Sequence, residues 1–300
     1  MLRSCPVAVG ASLLVVLACA VAQTGAREPD SSFDVQGHRG YAGRFPENSL
    51  PGFAAAIELG LTTVELDVRV TRDLVLVVHH DERLAAARCR GPQGAPVPRA
   101  PLCDLPYSAL DAIDCRSSGS RAPAAPRARI PRLVEVLALV RDARYPVRLN
   151  IEIKPQPPGP GVRLDELTAM VVQAVREFGL EPRTAVQSFE PDVLRIVERL
   201  APELDRGILV RRRRDYRRQV ERSGATILSP RRGGLRREDV AEFQALGIAV
   251  IPWTVNRPES ILELLEWGVD GMISDYPDRV LEALGRSGGG AVKRDAPRVR

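Results

Sequence analysis

Residues 183–223 read RTAVQSFEPDVLRIVERLAPELDRGILVRRRRDYRRQVERS and contain the same structural unit twice. Each unit opens with a short apolar run, first Arg183–Gln187 and then Arg206–Val210, which predicts a buried strand. An amphipathic segment follows each run, first Pro191–Leu200 and then Asp215–Ser223, and predicts a helix. Strands that alternate with helices in this way predict a parallel sheet covered by helices.

The same unit recurs on both sides of this stretch. The other predicted strands are Phe33–Gly37, Thr62–Val68, Val147–Ile153, Thr226–Leu228, Ile248–Ile251 and Gly271–Ile273. The other predicted helices are Asn48–Leu59, Arg132–Asp142, Leu164–Phe178, Arg236–Leu246, Glu259–Trp267 and Pro277–Leu284. Roughly eight units over about 250 residues predict an α/β fold, a TIM-type (β/α)8 barrel. A doubly wound open sheet is the alternative, but no G-x-G-x-x-G follows the first strand.

An irregular insertion interrupts the repeat after the second strand. An extended piece, Leu74–His79, leads into residues 86–128, which are rich in Pro, Gly, Arg and Cys and carry one predicted helical turn near Tyr107–Ile113. We therefore expect a barrel domain over residues 31–284 that includes this insertion. Residues 285–300 are Gly-rich and basic without apolar periodicity, and they predict a disordered tail.

Composition excludes several classes of protein. The chain has 300 residues, of which 44% are apolar and 27% charged, so it is neither disordered, collagen-like nor a coiled coil. Aromatic residues make up only 4%, which argues against base stacking and a nucleic-acid partner. The net charge is +5, and all but two of the 43 basic residues are arginines. The two lysines are Lys154 and Lys293.

The first residues predict an export signal over residues 1–22. Arg3 precedes an uncharged, largely apolar stretch that ends in the A-x-A motif Ala20-Val21-Ala22. Two alternatives stay open: a lipobox that makes Cys19 a lipidated first residue, and an uncleaved membrane anchor. We expect an exported protein, periplasmic or secreted, whose membrane contact is limited to this segment.

Cysteine usage is compatible with export. Without Cys5 and Cys19, three cysteines remain, all in one loop-rich stretch. A Cys89–Cys103 disulfide would close a short loop in an oxidising compartment. The alternative is that Cys89, Cys103 and Cys115 are all unpaired. No CxxC pair occurs, which argues against a zinc site.

All three histidines fall at the predicted carboxyl-terminal rim of the barrel, which is where TIM-barrel enzymes carry their active sites. His38 ends the first strand, and His79-His80 ends the extended piece after the second. Because the chain has no other histidine, we interpret this placement as functional.

Carboxylates line the same predicted rim. Glu65 and Asp67 are two residues apart on one strand and share a face, as do Glu152 and Lys154 on another. Buried carboxylates need a compensating cation, and three of them without a cysteine ligand suit Mg²⁺ or Ca²⁺. Lys154 either contacts a phosphate group or neutralises Glu152 or Asp67.

The loop after the first strand offers further polar groups. Arg39 can hold a phosphate group with two hydrogen bonds. Asn48 and Ser49 precede a predicted helix, so each is a candidate helix cap as well as a site residue.

These residues carry motifs that resemble one family, the glycerophosphodiester phosphodiesterases. The motifs are Gly37-His38-Arg39-Gly40, Pro46-Glu47-Asn48, Glu65-Leu66-Asp67-Val68, His80-Asp81, Ile151-Glu152-Ile153-Lys154, Gln187-Ser188-Phe189, Trp253-Thr254-Val255-Asn256 and Gly268-Val269-Asp270-Gly271. They occur in the family's order from Val35 to Leu281. Departures are Ser49 in place of the usual threonine, His79 before the His-Asp pair, and the insertion.

The resemblance implies a function and a set of roles. Members of the family have a TIM-type barrel and use one divalent cation, here Ca²⁺ or Mg²⁺, to hydrolyse a diester such as glycerophosphocholine to glycerol 3-phosphate and an alcohol. The implied metal ligands are Glu65, Asp67 and Glu152; the implied acid–base pair is His38 and His80; the implied phosphate contacts are Arg39 and Lys154. Glu47, Gln187 and Trp253 are expected in the substrate pocket, although Trp253 is equally explained as a core aromatic.

Two other functions stay open at this point. One is a phospholipase D-like action on lysophospholipid or sphingomyelin, and the other is a non-catalytic protein that binds glycerophosphodiesters. The run Arg211–Arg214 with Arg217 and Arg218 is either a solvated surface or a patch that attracts anionic lipid.

Overall fold

The computed structural model describes residues 33–116, 127–157 and 161–286. The predicted export signal, with Cys5 and Cys19, lies outside the described residues, and so does all but the first two residues of the predicted basic tail. None of the described helices is long and apolar enough to span a bilayer.

Eight parallel strands form the barrel, and we label them β1 to β8 in chain order. They are Asp34–Gly37, Thr63–Val70, Arg148–Ile153, Thr184–Ser188, Asp205–Val210, Ile227–Pro230, Ala249–Val250 and Gly271–Ser274. Neighbours along the sheet run from β7 through β1 to β8. The remaining gap is closed where Asp270 donates to the Val250 carbonyl and Ile273 to the Pro252 carbonyl, both at 3.0 Å. The predicted TIM-type barrel is confirmed.

Eight α-helices of the described residues cover the barrel, labelled α1 to α8. They are Leu50–Glu58, Leu133–Arg141, Leu164–Glu177, Pro191–Leu200, Tyr216–Ser223, Arg237–Ala245, Pro258–Trp267 and Pro277–Ala283. Their apolar faces and the outward side chains of the strands form one continuous core. The helices cover the outer face of the strands, and the closed barrel encloses their inner face. This explains why β2 is buried along its whole length.

The segment after β2 turns back instead of joining the barrel. Leu76–Val78 pairs antiparallel with the end of β2 and so brings His79 and His80 back over the carboxyl-terminal rim. The backbone amide of His79 donates to the Asp67 carbonyl at 3.0 Å.

The insertion is more ordered than the sequence predicts. Three short antiparallel strands, Cys89–Arg90, Asp114–Cys115 and Ala128–Arg129, form a small sheet. A separate apolar cluster packs beneath it: Val77, Leu84, Cys89, Val97, Leu102, Leu110, Ile113 and Ile130. The predicted helical turn is present as the 3-10 turn Tyr107–Ala109. A small core of this kind is hard to recognise in a sequence because its apolar residues are scattered without periodicity.

Neither of the two alternatives left open for the cysteines is correct: Cys89 is not bonded to Cys103, and it is not unpaired. Cys89 and Cys115 lie directly opposite each other on paired strands, with 4.1 Å between their Cα atoms, and they form the disulfide. Cys103 is free. The pairing depends on the register of the small sheet, which the spacing of the cysteines does not reveal.

Candidate active site

Neighbouring barrel strands bring the polar side chains of the site into register. Asp67 of β2 is the direct partner of Glu152 on β3, and Glu152 is in turn the partner of Gln187 on β4. Glu65 lies two residues before Asp67, so its side chain leaves the same face of β2. These four side chains are all buried at the carboxyl-terminal end of the barrel.

Three of these side chains form a tight carboxylate cluster. Glu65, Asp67 and Glu152 each offer an oxygen, and these oxygens all lie within 4.8 Å of one another. Each residue is at most 6% exposed. The sequence prediction that the three converge is thus met by the geometry.

Two cations contact this cluster. The Nζ atom of Lys154 lies 2.6 Å from Glu152 Oε1 and 3.1 Å from Asp67 Oδ1. The Nε atom of Arg39 lies 3.3 Å from Asp67 Oδ2, and its Nη1 atom lies 3.2 Å from Glu47 Oε1. Both side chains therefore act as counter-ions here, which is the second of the two roles considered for Lys154.

The charges within the cluster are unevenly balanced. Burial opposes ionisation of Asp67, but Lys154 and Arg39 hold its pKa well below the usual range. Burial, followed by the charge of Asp67, raises the pKa of Glu65 and also that of Glu152. For Glu65 and Glu152, the nearby positive charges thus do not offset the cost of burying the ionised form.

This donor set fits a hard divalent cation. The three groups offer carboxylate oxygens and no sulfur, which is the ligand type that Ca²⁺ and Mg²⁺ prefer. A divalent cation would also supply the positive charge that Glu65 and Glu152 lack. The residues therefore fit the metal that the sequence predicts.

A tight turn after β1 places Arg39 and His38 beside the cluster. Gly40 has φ +87°, and a Cβ atom at Gly37 would lie 2.1 Å from the Gly40 carbonyl oxygen. Only glycine fits at these two positions. The Arg39 backbone amide donates to Glu65 Oε2 at 2.7 Å, so the turn itself fixes one of the carboxylates.

Residues of the barrel hold His38 in place. Its Nδ1 atom lies 2.5 Å from Asp275 Oδ1, directly after β8. Asn256 Nδ2 donates to the other Asp275 oxygen at 2.6 Å and so fixes that carboxylate. Burial lowers the pKa of His38, but the hydrogen bond to Asp275 and the charge of Glu65 outweigh it, and the net direction is upward. With Nδ1 occupied, Nε2 is the ring nitrogen free to exchange a proton.

The hairpin and the insertion hold His80. Its Nδ1 atom lies 2.8 Å from Asp81 Oδ1. Arg88, next to the disulfide, donates to the other Asp81 oxygen and, at 2.9 Å, to Glu47 Oε1. The bond to His80, with help from Arg88, lowers the pKa of Asp81 to about 2. The His80 side chain is 35% exposed, twice the 17% of His38.

His79 differs from its neighbour. It is buried, and this burial lowers its pKa to about 4. His79 is thus a neutral imidazole outside the pocket lining, and its position gives it no role in the chemistry, in contrast to His38 and His80.

Asn48 and Ser49 were each candidates for a helix cap and for a site residue, and the structure gives them different roles. Ser49 caps α1 by accepting a hydrogen bond from the Gly52 amide at 3.2 Å. Asn48 instead donates to Asp67 Oδ2 at 2.8 Å and accepts from the Asp67 amide at 3.1 Å. Asn48 thus belongs to the site, and the capping interpretation is wrong for that residue.

One pocket at the carboxyl-terminal rim contains these groups. Its lining is His38, Arg39, Glu65, His80, Glu152, Lys154, Gln187, Phe189, Leu209, Arg211, Trp253 and Ile273. Gln187 Nε2 donates to Glu65 Oε1 at 2.9 Å. Trp253 Nε1 donates to the Ser229 carbonyl at 2.8 Å, and its ring lies nearly perpendicular to that of Phe189, with 5.5 Å between the ring centroids. Trp253 therefore lies on the pocket wall.

The structure thus brings every predicted site residue to one rim, with Asp67 and Glu47 just beneath the lining. Asp275 and Arg88 were missed, as was the position of Arg211 on the pocket wall. Asp275 had a usable signal, since a carboxylate directly after a barrel strand is a site candidate. Arg88 had none, because the fold of the insertion brings it to the site.

The carboxylate cluster, two histidines and two cations at the rim of this TIM-type barrel are groups suited to phosphate ester chemistry. Residues 38–279 match the model of the glycerophosphoryl diester phosphodiesterase family. The chain belongs to this family and is a glycerophosphodiester phosphodiesterase.

Individual relatives agree with this assignment. The chain is 32% identical to the glycerophosphodiester phosphodiesterase of Caldanaerobacter subterraneus subsp. tengcongensis over 84% of its own length and 97% of the relative. Among solved structures, the putative enzyme of Silicibacter pomeroyi superposes with a TM-score of 0.78 at 32% identity, over 85% of this chain and 95% of that one. A phosphodiesterase of Oleispira antarctica, solved with the product sn-glycerol-3-phosphate, superposes with a TM-score of 0.71 at 26% identity, over 84% of this chain and 96% of that one.

Proposed function

We propose that the enzyme hydrolyses glycerophosphodiesters such as glycerophosphocholine to glycerol 3-phosphate and an alcohol, with His38 and His80 as its acid–base pair. The observation that carries the proposal is that His38 and His80 line one pocket together with two of the three clustered carboxylates, Glu65 and Glu152. The product in the Oleispira antarctica structure supports the choice of glycerol 3-phosphate.

We further propose that Glu65, Asp67 and Glu152 hold one Ca²⁺ or Mg²⁺ ion. When bound, such an ion stabilises negative charge that develops on the phosphoryl oxygens and lowers the pKa of an oxygen nucleophile. The buried position of the three carboxylates supports a single ion fixed to the barrel.

His38 is proposed as the base. Asp275 occupies its Nδ1 atom and raises its pKa, so Nε2 accepts a proton readily. The proton comes from a water molecule or from the 2-hydroxyl of the substrate's glycerol, in which case a cyclic phosphate is formed and then opened by water. In both routes the new bond joins this oxygen to phosphorus.

His80 is proposed as the acid. As the bond from phosphorus to the alcohol oxygen breaks, His80 gives its proton to that oxygen, and the alcohol leaves neutral. The partial exposure of His80 supports this role, since the departing alcohol needs a route to solvent.

Arg39 and Lys154 are proposed to orient the phosphate group. Lys154 lies in the pocket lining beside Glu152, and Arg39 lies beside Asp67. When a divalent cation neutralises the carboxylates, both side chains become available to a phosphate oxygen. Gln187 and Trp253 are proposed to line the substrate, and Glu47 to position Arg39.

Export remains a proposal that rests on the first residues of the chain. The Cys89–Cys115 disulfide supports it, because such bonds persist in oxidising compartments. The proposed location is the periplasm or the outside of the cell.

A direct assay tests the proposed reaction. Purified protein is incubated with glycerophosphocholine and Ca²⁺ or Mg²⁺, with and without a chelator, and released glycerol 3-phosphate is measured. We expect release that the chelator abolishes and that added metal restores. Glu65→Gln should lose this release, whereas Glu259→Gln, which removes an exposed carboxylate paired with Arg257, should keep it. Release that survives the chelator would contradict the metal role, and cleavage of lysophosphatidylcholine alone would contradict the substrate class.

A further inference from the structure

Four arginines at the pocket side of the barrel have no carboxylate partner among the described residues. They follow β5 and β6, and we call them the arginine strip: Arg211, Arg212, Arg214 and Arg231. All four are exposed. The Arg231 amide donates to the Val210 carbonyl at 2.8 Å, so the two strand ends and their arginines are adjacent.

Other arginines of the same surface are neutralised. Arg213 lies 2.7 Å from Asp239 and Arg218 lies 2.8 Å from Asp215. Arg217 and Arg232 likewise contact Glu242 and Glu263. The positive charge of this surface is therefore concentrated in the arginine strip.

Arg211 connects the strip with the pocket. It is part of the pocket lining, and its guanidinium carbon lies 3.9 Å from the centre of the Phe189 ring, which is also in the lining. Stacking on an aromatic ring orders the guanidinium while its N–H groups stay available to a ligand. An ordered cation with free donors thus faces the same pocket as His38 and Glu65.

We propose that Arg211 determines the substrate class: the enzyme prefers glycerophosphodiesters that carry a second anionic group over those with a cationic choline. This inference rests on the proposed function. One anionic group of such a substrate lies at the carboxylate cluster and its metal, and the second binds Arg211. The rest of the arginine strip extends the favourable potential outward from the pocket.

The surroundings of Arg211 also disfavour choline. Quaternary ammonium groups are recognised by free aromatic faces. One face of Phe189 is covered by the guanidinium of Arg211, so a trimethylammonium group on that side would meet a positive charge in place of a ring. The same residue therefore favours one substrate class and opposes the other.

The test compares kcat/KM for three substrates that differ in charge beyond the cleaved phosphate: bis(glycerophospho)glycerol, glycerophosphoglycerol and glycerophosphocholine. The first carries a second phosphodiester, the second is neutral and the third is cationic. After correction for the two equivalent linkages of the first, we expect the wild type to prefer it over the choline diester by about tenfold, and this preference to shrink as salt rises.

The variant Arg211→Gln should reduce this preference to about parity. The matched control, Arg218→Gln, removes an arginine of the same surface that is already paired with Asp215, and it should keep the preference. A wild type that favours the choline diester, or an unchanged preference in Arg211→Gln, would overturn the inference.

Failure of the proposed function gives a different result. If the wild type hydrolyses none of the three diesters, the proposed function is wrong, and substrate binding then tests Arg211 directly. Dissociation constants for His38→Ala, with and without Arg211→Gln, should show the same loss of preference. Equal affinities for the anionic and choline diesters in His38→Ala would overturn the inference independently of turnover.

Discussion

His38 and His80 line the same pocket, yet two different parts of the molecule hold them. His38 follows a barrel strand, and its partner Asp275 follows the adjacent strand β8 and is itself fixed by Asn256. His80 lies on a hairpin, and its partner Asp81 is fixed by Arg88 of the insertion.

This difference separates a rigid side of the site from an adjustable one. The barrel side is buried within a continuous core, where side-chain positions are set by close packing. The insertion side depends on a small separate core, one disulfide and salt bridges between loops. We infer that the barrel fixes the metal and the base, whereas the insertion positions the acid.

The largest expected effect is the loss of either histidine. His38→Ala and His80→Ala should each lower kcat on glycerophosphocholine by about 10²–10⁴-fold, since each removes a proton transfer. Folding and metal binding, measured by thermal melting and calorimetry, should remain. Near wild-type kcat for either variant at any pH between about 6 and 9 would remove that residue from the acid–base pair.

A smaller effect is expected from the carboxylates behind the histidines. Asp275→Asn and Asp81→Asn should each lower kcat by about 10–100-fold, because the imidazole loses the group that sets its orientation and tautomer. The larger loss should fall on Asp275→Asn, since His38 is the more buried ring and its pKa is raised by that carboxylate. Equal losses would contradict the contrast between the two sides.

Removing the Cys89–Cys115 disulfide tests the insertion side of the site alone. Cys115→Ser should lower kcat severalfold and increase amide hydrogen exchange in residues 80–116, because the strand carrying Cys89 is adjacent to Arg88. Exchange in β1 and β8 should stay the same. Cys103→Ser is the matched control, since that thiol is free, and it should change neither measurement. A uniform increase in exchange across the barrel would show that the insertion is not a separate unit.

Replacing His79 is expected to have the smallest effect on activity. Its expected effect is on the pH dependence of the folding stability. Its pKa is about 4 in the folded protein and ~6.5 when unfolded, so the unfolded state binds the proton more tightly. The stability that neutral His79 contributes is present above pH ~6.5 and is lost as pH falls towards about 4. Between pH ~6.5 and about 4, the unfolding free energy of His79→Gln should therefore fall less steeply than that of the wild type. The difference in this fall is about 3 kcal/mol at most, and kcat should change little. A wild-type pH dependence in His79→Gln would contradict the buried neutral form.

The barrel side was largely predictable from the sequence. Alternation of strands and helices indicates the barrel, and the two-residue spacing of Glu65 and Asp67 places both on one face. Active sites of TIM barrels lie at the carboxyl-terminal ends of the strands, and this rule places Glu152, Lys154 and His38 at the same end. These inferences work because each depends on local periodicity and on one topological rule.

The insertion side was not predictable in the same way. The partner of Cys89 and the contact from Arg88 to Asp81 both follow from the register of a three-stranded sheet with no periodic pattern. Asn48 was ambiguous for a related reason, since a residue next to a helix start suits a cap and a site equally well. The three-dimensional contact with Asp67 decides between them.

The division of labour between the two histidines is tested most directly with a leaving group that needs no proton. The measurement compares kcat/KM for glycerophosphocholine with that for the p-nitrophenyl diester of glycerol 3-phosphate, in the wild type, His38→Ala and His80→Ala. We expect His80→Ala to recover most of its activity on the p-nitrophenyl diester, because p-nitrophenolate leaves without an acid, while His38→Ala stays impaired on both substrates. Equal losses by the two variants on both diesters would contradict a base on the barrel and an acid on the insertion side.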